Sequence, residues 1–423
     1  MLWYLALPFL PLRLWWRGRR EPGYREAIGE RFGRCRGTPR GPVLWVHAVS
    51  LGETRAAAPL VDRARSAFPD ATVLVTHMTP TGRAASRDTF GDSVERAWLP
   101  YDVGFAVRRF LAHYRPEFGV LLETEIWPRL LQEGAKQGIP IVLANGRMSR
   151  RSAGRYARVP SLTRWAMSNL RGIAAQTEDD ARRFARLGGS SPAVLGNVKF
   201  DLAVPDEMLE RSRELRSRIG TRMVWLAGST REGEETLLLD AFFGSTAGPD
   251  VLFAIVPRHP QRFDEVVRLA ESKGFKVARR SDGAAIDADT RVLVGDSLGE
   301  MLAYYAAADI VIMGGSLLDF GGQNLIEACA VGRPVIVGPH TYNFSEASKG
   351  AIAAGAAVRV RDSYEAMQAA ALLASDVPRR EAMGRKALEF VAAHRGAVAR
   401  IVEWIGVVTT SPACDSRPRR PSP

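Results

Sequence analysis

At 423 residues the chain is too long for one ordinary core and suits two domains of roughly 150–200 residues each. Hydrophobic residues make up 46% and charged residues 25%, so most of the chain folds around packed cores rather than staying disordered. A net charge of +12 favours anionic partners: nucleic acid, an acidic membrane surface or a phosphorylated substrate. Part of that charge reflects a general preference for Arg, since Lys stands only at positions 136, 199, 273, 276, 349 and 386. Cys35, Cys329 and Cys414 lie too far apart for a disulfide framework or for metal-ligand spacing, which fits a reducing cytosolic environment.

The chain opens with an apolar, aromatic run, MLWYLALPFLPLRLWW, followed at once by Arg17, Arg19 and Arg20. Residues 1–20 resemble a membrane anchor whose basic flank stays cytoplasmic. The run is shorter than the about 20 residues of a span and is broken by Pro8 and Pro11, so it predicts shallow or tilted insertion. The other reading is a helix docked on the protein's own surface. Beyond residue 40, short β-branched runs alternate with helical patterns. Strands are expected at Val43–Val49, Thr72–Thr76, Phe118–Leu122 and Ile139–Ala144, and helices at Thr54–Phe68, Pro128–Gln137 and Glu178–Leu187. That rhythm predicts a parallel sheet.

The polar helical run Leu202–Gly220 lacks a strand and reads as a linker, with residues 206–220 joining domains at 21–205 and 221–407. The alternation then restarts with strands at Met223–Ala227, Val251–Val256, Arg291–Val294, Ile310–Met313 and Pro334–Val337. The fold class expected is therefore α/β: two doubly wound, Rossmann-like domains, with ligands at the carboxyl ends of the strands and in the cleft between the halves. The tail, residues 408–423, is rich in Ser, Pro and Arg and reads as disordered.

Unusual residues cluster at the strand ends. In WVHAVSLGE the strand delivers His47 and Ser50, and the next helix begins with Gly52 and Glu53. Glu53 stands where a base could, provided a desolvated site raises its proton affinity; equally, it could simply complement the helix dipole. Gly52 would let a substrate approach the helix start. LLETEIWP puts Glu123 and Glu125 at one strand end, one of them to cap the helix at Pro128 and the other to face the site. GNVKFD carries Lys199, either a compact functional charge or a partner of Asp201.

In the second half, GSTREGEE offers Ser229 and Thr230 at a helix start. Arg258 of PRHPQRF could hold a phosphate through two parallel N–H bonds, and GDSLGEM supplies a further loop with Glu300. The stretch MGGSLLDFGGQNLIEACAVGRPVIVGPH, Met313 to His340, joins a strand, two glycine pairs and a helix start. Its free N–H groups, with Ser316, are expected to cradle an anion. Asn324 and Glu327 open the helix, and Glu327 would accept hydrogen bonds from a ribose diol, so the stretch suggests a nucleotide. No His or Cys grouping has metal-ligand spacing and no D-x-D pair follows a glycine loop, so no metal is implied.

The ordered set HAVSLGE, TPTGR, LPYD, ETEIWP, ANGRMS, GNVKFD, GSTREGEE, PRHPQRF, GDSLGEM, GGSLLDFGGQNLIEA and GPHTYNF resembles the Kdo transferases of lipopolysaccharide biosynthesis. The resemblance runs from the anchor to about residue 405. It implies a GT-B-type glycosyltransferase at the cytoplasmic face of the inner membrane. Such an enzyme moves 3-deoxy-D-manno-octulosonic acid (Kdo) from CMP-Kdo to a lipid A precursor, lipid IVA, by inversion and without metal or other cofactor.

Carried over by motif, the resemblance makes Glu53 the general base and Glu123 and Lys199 transition-state stabilisers. Pro257, Arg258, Leu298, Gly299, Glu300, Asn324, Leu325, Ile326 and Glu327 match its CMP-binding positions. Two departures stand out: Gln323 occupies a position where many relatives carry His, and the anchor is short. Arg147, Arg151, Arg155 and Arg158 recur at helical spacing after Asn145-Gly146, either to face lipid phosphates or as a solvated basic face. Two rival classes lack their signatures. A dinucleotide oxidoreductase needs G-x-G-x-x-G after its first strand. A nucleic-acid binder needs a recognisable module of clustered basic and stacking aromatic residues.

Overall fold

The computed structural model describes residues 9–19, 21–37, 39–283 and 286–410. The first eight residues of the expected anchor, and the tail from residue 411, lie outside the described residues. The chain forms two compact units, one of residues up to Asp201 together with residues from Gly396, the other Leu202–Arg395.

The first unit is built on a seven-stranded parallel sheet of β1 (Val43–His47), β2 (Thr72–His77), β3 (Glu95–Trp98), β4 (Phe118–Leu122), β5 (Ile141–Gly146), β6 (Gly172–Ala175) and β7 (Ala193–Val194). Their order is β3-β2-β1-β4-β5-β6-β7. Val46 pairs with Val75 on one side and Val120 on the other, so β1 is central and buried along its whole length. Two apolar clusters cover the two faces, one around Trp45, Phe110, Leu121 and Leu143, the other around Val46, Leu60, Val75 and Val120. The second unit repeats the plan with β8 (Met223–Thr230), β9 (Val251–Pro257), β10 (Val277–Arg279), β11 (Val292–Val294), β12 (Ile310–Met313), β13 (Val335–Val337) and β14 (Ala357–Arg359), in the order β10-β11-β9-β8-β12-β13-β14. Two doubly wound parallel sheets are thus present.

Three differences from the sequence reading have physical causes. Strands β3, β7, β10 and β14 lie at or next to sheet edges and are short or partly polar, and β6 is made of Gly, Ile and two Ala; none carries a strong strand pattern. The expected linker is mostly the helix Asp206–Ile219, part of the second unit, which buries Ser212, Leu215 and Ile219. Arg216 of this helix bonds the Ala307 carbonyl at 3.3 Å and Asp309 at 3.2 Å, so it is a packed element of that domain. Finally, the helix Ala397–Thr410 belongs to the first unit, not to the second as the reading to residue 407 had it. Its Val398, Ile401 and Ile405 join the cluster on β1 and β5, an attachment that the amphipathic pattern alone cannot assign to either sheet.

Asp201 fastens that return. Its two carboxylate oxygens accept the amides of Gly396 and Val398, each at 2.5 Å. Replacing it by Ala leaves two helix-start amides without their cap, so Asp201→Ala is expected to lower the stability of the first unit by about 1–2 kcal/mol in a denaturant titration. An unchanged midpoint would mean that the cap contributes nothing.

Candidate active site

Strand order reverses between β1 and β4 in the first sheet, where successive crossovers leave in opposite directions and open a crevice at the carboxyl ends. The predicted catalytic residues fall there. Ser50 caps the helix Leu51–Ala67 and accepts the Glu53 amide, while the Glu53 carboxylate accepts the Val49 amide at 2.8 Å and the Ser50 hydroxyl at 3.0 Å. This is a capping box, so Glu53 does serve the helix start. Its surroundings add more. Burial first, then the charge of Glu123, pushes the Glu53 carboxyl up to about 7, against the opposing Val49 amide. Glu125 is likewise pushed up to about 7, by burial and then by Glu123.

Glu123 directly follows β4 with a left-handed backbone, φ +57°, which costs a non-glycine residue about 1 kcal/mol. That turn aims its carboxylate at Lys199, whose Nζ lies 2.9 Å from Oε1. Lys199 is therefore the partner of Glu123. Asp201, the alternative partner, is occupied at the helix cap described above. Neither Glu123 nor Glu125 caps the helix Pro128–Lys136. Asp102 of the LPYD motif does so, accepting the amides of Arg129 at 3.0 Å and Leu130 at 2.7 Å. The pattern could not show this, because Asp102 lies on a different loop.

Asn145, with φ +51°, ends β5 and accepts the Val198 amide at 3.2 Å, which holds the Lys199 turn beside the sheet. Arg147 sits next to the site, its amide bonded to the Glu123 carbonyl at 3.2 Å. The basic series is not one continuous face. The helix runs only from Arg150 to Tyr156, so Arg151 and Arg155 share a side and are exposed, while Arg147 precedes the helix and Arg158 follows it. His47 is fully buried and bonded to Thr76; burial lowers its ring to about 3 and keeps it neutral within the core.

In the second sheet the order reverses between β8 and β12, and the glycine stretch follows β12. Close approach requires the glycines here: a Cβ on Gly314 would lie 2.4 Å from the Ser229 carbonyl oxygen, and one on Gly338 2.2 Å from that of Ser316. The stretch does hold an anion, but the anion belongs to the chain. Fully buried Glu234 accepts the amides of Gly315 at 2.6 Å, Leu317 at 3.0 Å and Leu318 at 3.4 Å, and that of Arg231 at 2.9 Å. Three proposed phosphate contacts are also committed internally. Ser316 is buried and bonds the Met313 carbonyl and the Gly338 amide, Thr230 is buried on Glu235 at 2.9 Å, and Ser229 meets the Met301 sulfur at 3.4 Å.

The nucleotide positions are mixed: Arg258, Leu298 and Gly299 are exposed, Asn324 and Glu327 are half-buried, and Pro257, Glu300, Leu325 and Ile326 are buried. Pro257 ends β9 and Arg258 is exposed beside it. Leu298 is exposed, and Gly299 has open space around it. Glu300 is buried, with Arg211 on Oε1 at 2.7 Å and both Arg280, at 3.3 Å, and the Ser297 hydroxyl on Oε2. Its carboxylate is therefore committed to shaping the loop. Asn324 caps the helix Leu325–Ala330 and donates to Glu327 at 2.9 Å, while the side chains of Leu325 and Ile326 point into the core. Burial first, then the charge of Glu327, raises the proton affinity of the fully buried Tyr305 hydroxyl, against the opposing charge of Arg258. Among the described residues, no group of three or more His, Cys, Asp or Glu is placed to hold a metal.

A sequence model of the 3-deoxy-D-manno-octulosonic acid transferase (kdotransferase) family matches residues 26–202. The transferase of that name from Bordetella pertussis is 43% identical, across 94% of this chain and 97% of its own length. The chain belongs to the Kdo transferase family. It is accordingly a glycosyltransferase. The Haemophilus influenzae member is 35% identical over 91% of this chain and 92% of its own. In fold alone, the crystal structure of Neisseria meningitidis UDP-GlcNAc 2-epimerase is similar, with a TM-score of 0.61 at 16% identity, covering 87% of this chain and all of that one. Both sheets thus resemble the Rossmann-like domains of GT-B glycosyltransferases.

The crowding of carboxyls around Glu53 sets a pH dependence. A base must be unprotonated to act, so the acidic limb of kcat/KM is expected near pH 7 rather than near 4.5, and Glu125→Gln should move it lower by removing a like charge. The raised carboxyls bind protons more tightly in the native state, so stability should fall as pH rises from about 4.5 towards 7. A limb near 4.5 would contradict the crowding. Separately, Gly52 has helical backbone and a Cβ there would meet nothing within 4 Å. Gly52→Ala should therefore raise stability, by up to about 1 kcal/mol, while lowering kcat/KM by crowding the substrate; unchanged kcat/KM would show that nothing approaches there.

Proposed function

We propose that this transferase moves Kdo from CMP-Kdo to a hydroxyl of a lipid A precursor, lipid IVA, with inversion and without a metal. The observation that carries this reading is the Glu53 carboxyl, raised to about 7 and set in the opening turn of the helix after β1, in the same crevice as the Lys199–Glu123 pair. The acceptor oxygen attacks the anomeric carbon, and its proton passes to a Glu53 oxygen. The bond from that carbon to the CMP phosphate breaks, and the electron pair leaves with the phosphate. Positive charge grows on the anomeric carbon in between. Glu123 opposes that charge, and Lys199 balances Glu123 while offering its remaining donors to the anionic sugar.

The second unit takes the nucleotide. Arg258 meets the phosphate, Glu327 with Asn324 meets the ribose diol, and the backbone at Leu298–Gly299 and Leu325–Ile326 lines the base and sugar. The lipid acceptor places the enzyme on the cytoplasmic face of the inner membrane. In support, the helix Phe9–Arg17 buries Leu10 and Leu14 but leaves Phe9, Leu12, Trp15 and Trp16 exposed beside basic residues, the arrangement of a helix lying in a bilayer surface. No helix of the described residues is long and apolar enough to cross a membrane. Arg151 and Arg155 would add contacts to lipid phosphates.

Incubation with CMP-Kdo and lipid IVA, read by mass, should give the Kdo-extended lipid. Glu53→Gln is expected to lower kcat by about 10²–10⁴-fold while leaving CMP affinity unchanged in a titration. Undiminished turnover would remove Glu53 from the role of base.

A further inference from the structure

The first turn of the glycine stretch after β12 already holds an anion of the chain itself. Three of its amides are bonded to the Glu234 carboxylate, and the hydroxyls of Ser316 and Thr230 are buried on internal partners. Those three amides are not available to an anionic ligand at this sheet reversal, which directs attention to the side-chain cations around it. Arg231 is the cation that the architecture fixes there. Its backbone amide is held by the same Glu234 carboxylate at 2.9 Å, and its guanidinium lies over the Phe320 ring at 4.7 Å. A Cβ on Gly315 would meet the Gln323 side-chain amide at 3.1 Å and Arg231 Cγ at 3.5 Å, so Arg231, Gln323 and the glycine stretch are in mutual reach.

Arg258 approaches from the neighbouring strand end, its amide on the Thr230 carbonyl at 2.9 Å. His259 feels both cations together with Arg262, and after burial they hold its proton affinity down. Of the three arginines, Arg262 is engaged by Glu235 at 3.1 Å and Glu265 at 3.4 Å. Among the described residues, neither Arg231 nor Arg258 forms an ion pair with a carboxylate. Two neighbouring arginines that form no ion pair among the described residues, beside a turn whose amides at Gly315, Leu317 and Leu318 are held by Glu234, offer a seat for a phosphate.

We propose that Arg231, acting with Arg258, binds the phosphate of the nucleotide donor in place of the glycine-stretch amides. The proposal rests on the donor reading above and adds a phosphate ligand to it. The test is a calorimetric titration of the full chain with CMP and with cytidine, which lacks the phosphate. Arg231→Ala should weaken CMP by about tenfold or more and leave cytidine unchanged, with Arg231→Lys between the two because a point charge cannot replace the two-pronged contact. Equal weakening of CMP and cytidine would mark Arg231 as merely structural and overturn the proposal. UMP and AMP titrated in parallel separate the two readings. If CMP binds without dependence on Arg231, the seat falls and the donor stands. If UMP or AMP binds in preference with the same dependence on Arg231, the seat stands and the donor falls. If none of the three binds, both fall.

Discussion

The constraint on which the rest depends is the reversal of strand order beside the central strand of each sheet, β1 next to β4 and β8 next to β12. A right-handed crossover must leave a parallel strand on a fixed side, so where the order reverses, neighbouring connections diverge and backbone ends face an uncovered crevice. Polar residues can stand there without being sealed in a core. Glu53, Glu123 and Lys199 surround one reversal, and Ser229, Arg231, Glu234 and the glycine stretch surround the other. Residues just before the crevice are buried along the whole of β1 and β12, and apolar in both but for His47 at the end of β1.

Glu53 and Glu234 occupy equivalent places, each in the opening turn of the helix after the central strand, yet they have opposite fates. Glu234 is fully buried and receives four backbone amides, which is the way a buried carboxylate becomes a structural anion. Glu53 is only partly covered, has two donors, and shares its crevice with two further carboxylates. Its charge is consequently costly, and a carboxyl whose charge is costly near neutral pH is suited to taking a proton. The same side chain at the same topological position is thus a neutralised brace in one domain and a crowded carboxyl of raised proton affinity in the other, according to how many N–H groups point at it.

Backbone strain is present at both reversals, as it is at Ala27, Arg115 and Ser191 elsewhere. Glu123 and Ser229 both have φ +57° at the two reversals, and Asn145 follows at the end of β5. At each of these positions a glycine would relieve the backbone at no steric cost, and a side chain stands there instead. For Glu123 the return is evident, since the turn delivers its carboxylate to Lys199. For Ser229 the turn sets its hydroxyl against the Met301 sulfur at 3.4 Å.

The parallel sheets, the helices at Thr54–Phe68 and Pro128–Gln137, and the interest of Glu53, Glu123 and Lys199 were legible in the sequence by itself. Each announces itself locally, through an apolar run, a glycine or an unusual charge at a strand end. Edge strands such as β10, and the attachment of the helices Asp206–Ile219 and Ala397–Thr410 to their sheets, were not legible, because an amphipathic face shows that a helix packs but not against what. Partnerships were hidden for the same reason. Lys199 meets Glu123 across 76 residues, Glu234 meets Gly315 across 81, and Asp102 reaches a helix that begins in another motif. The sequence determined which chemistry-bearing residues stand at the strand ends. Only the tertiary structure decided which of them are neutralised by backbone amides and which are left charged and crowded, because that depends on donors supplied by distant loops.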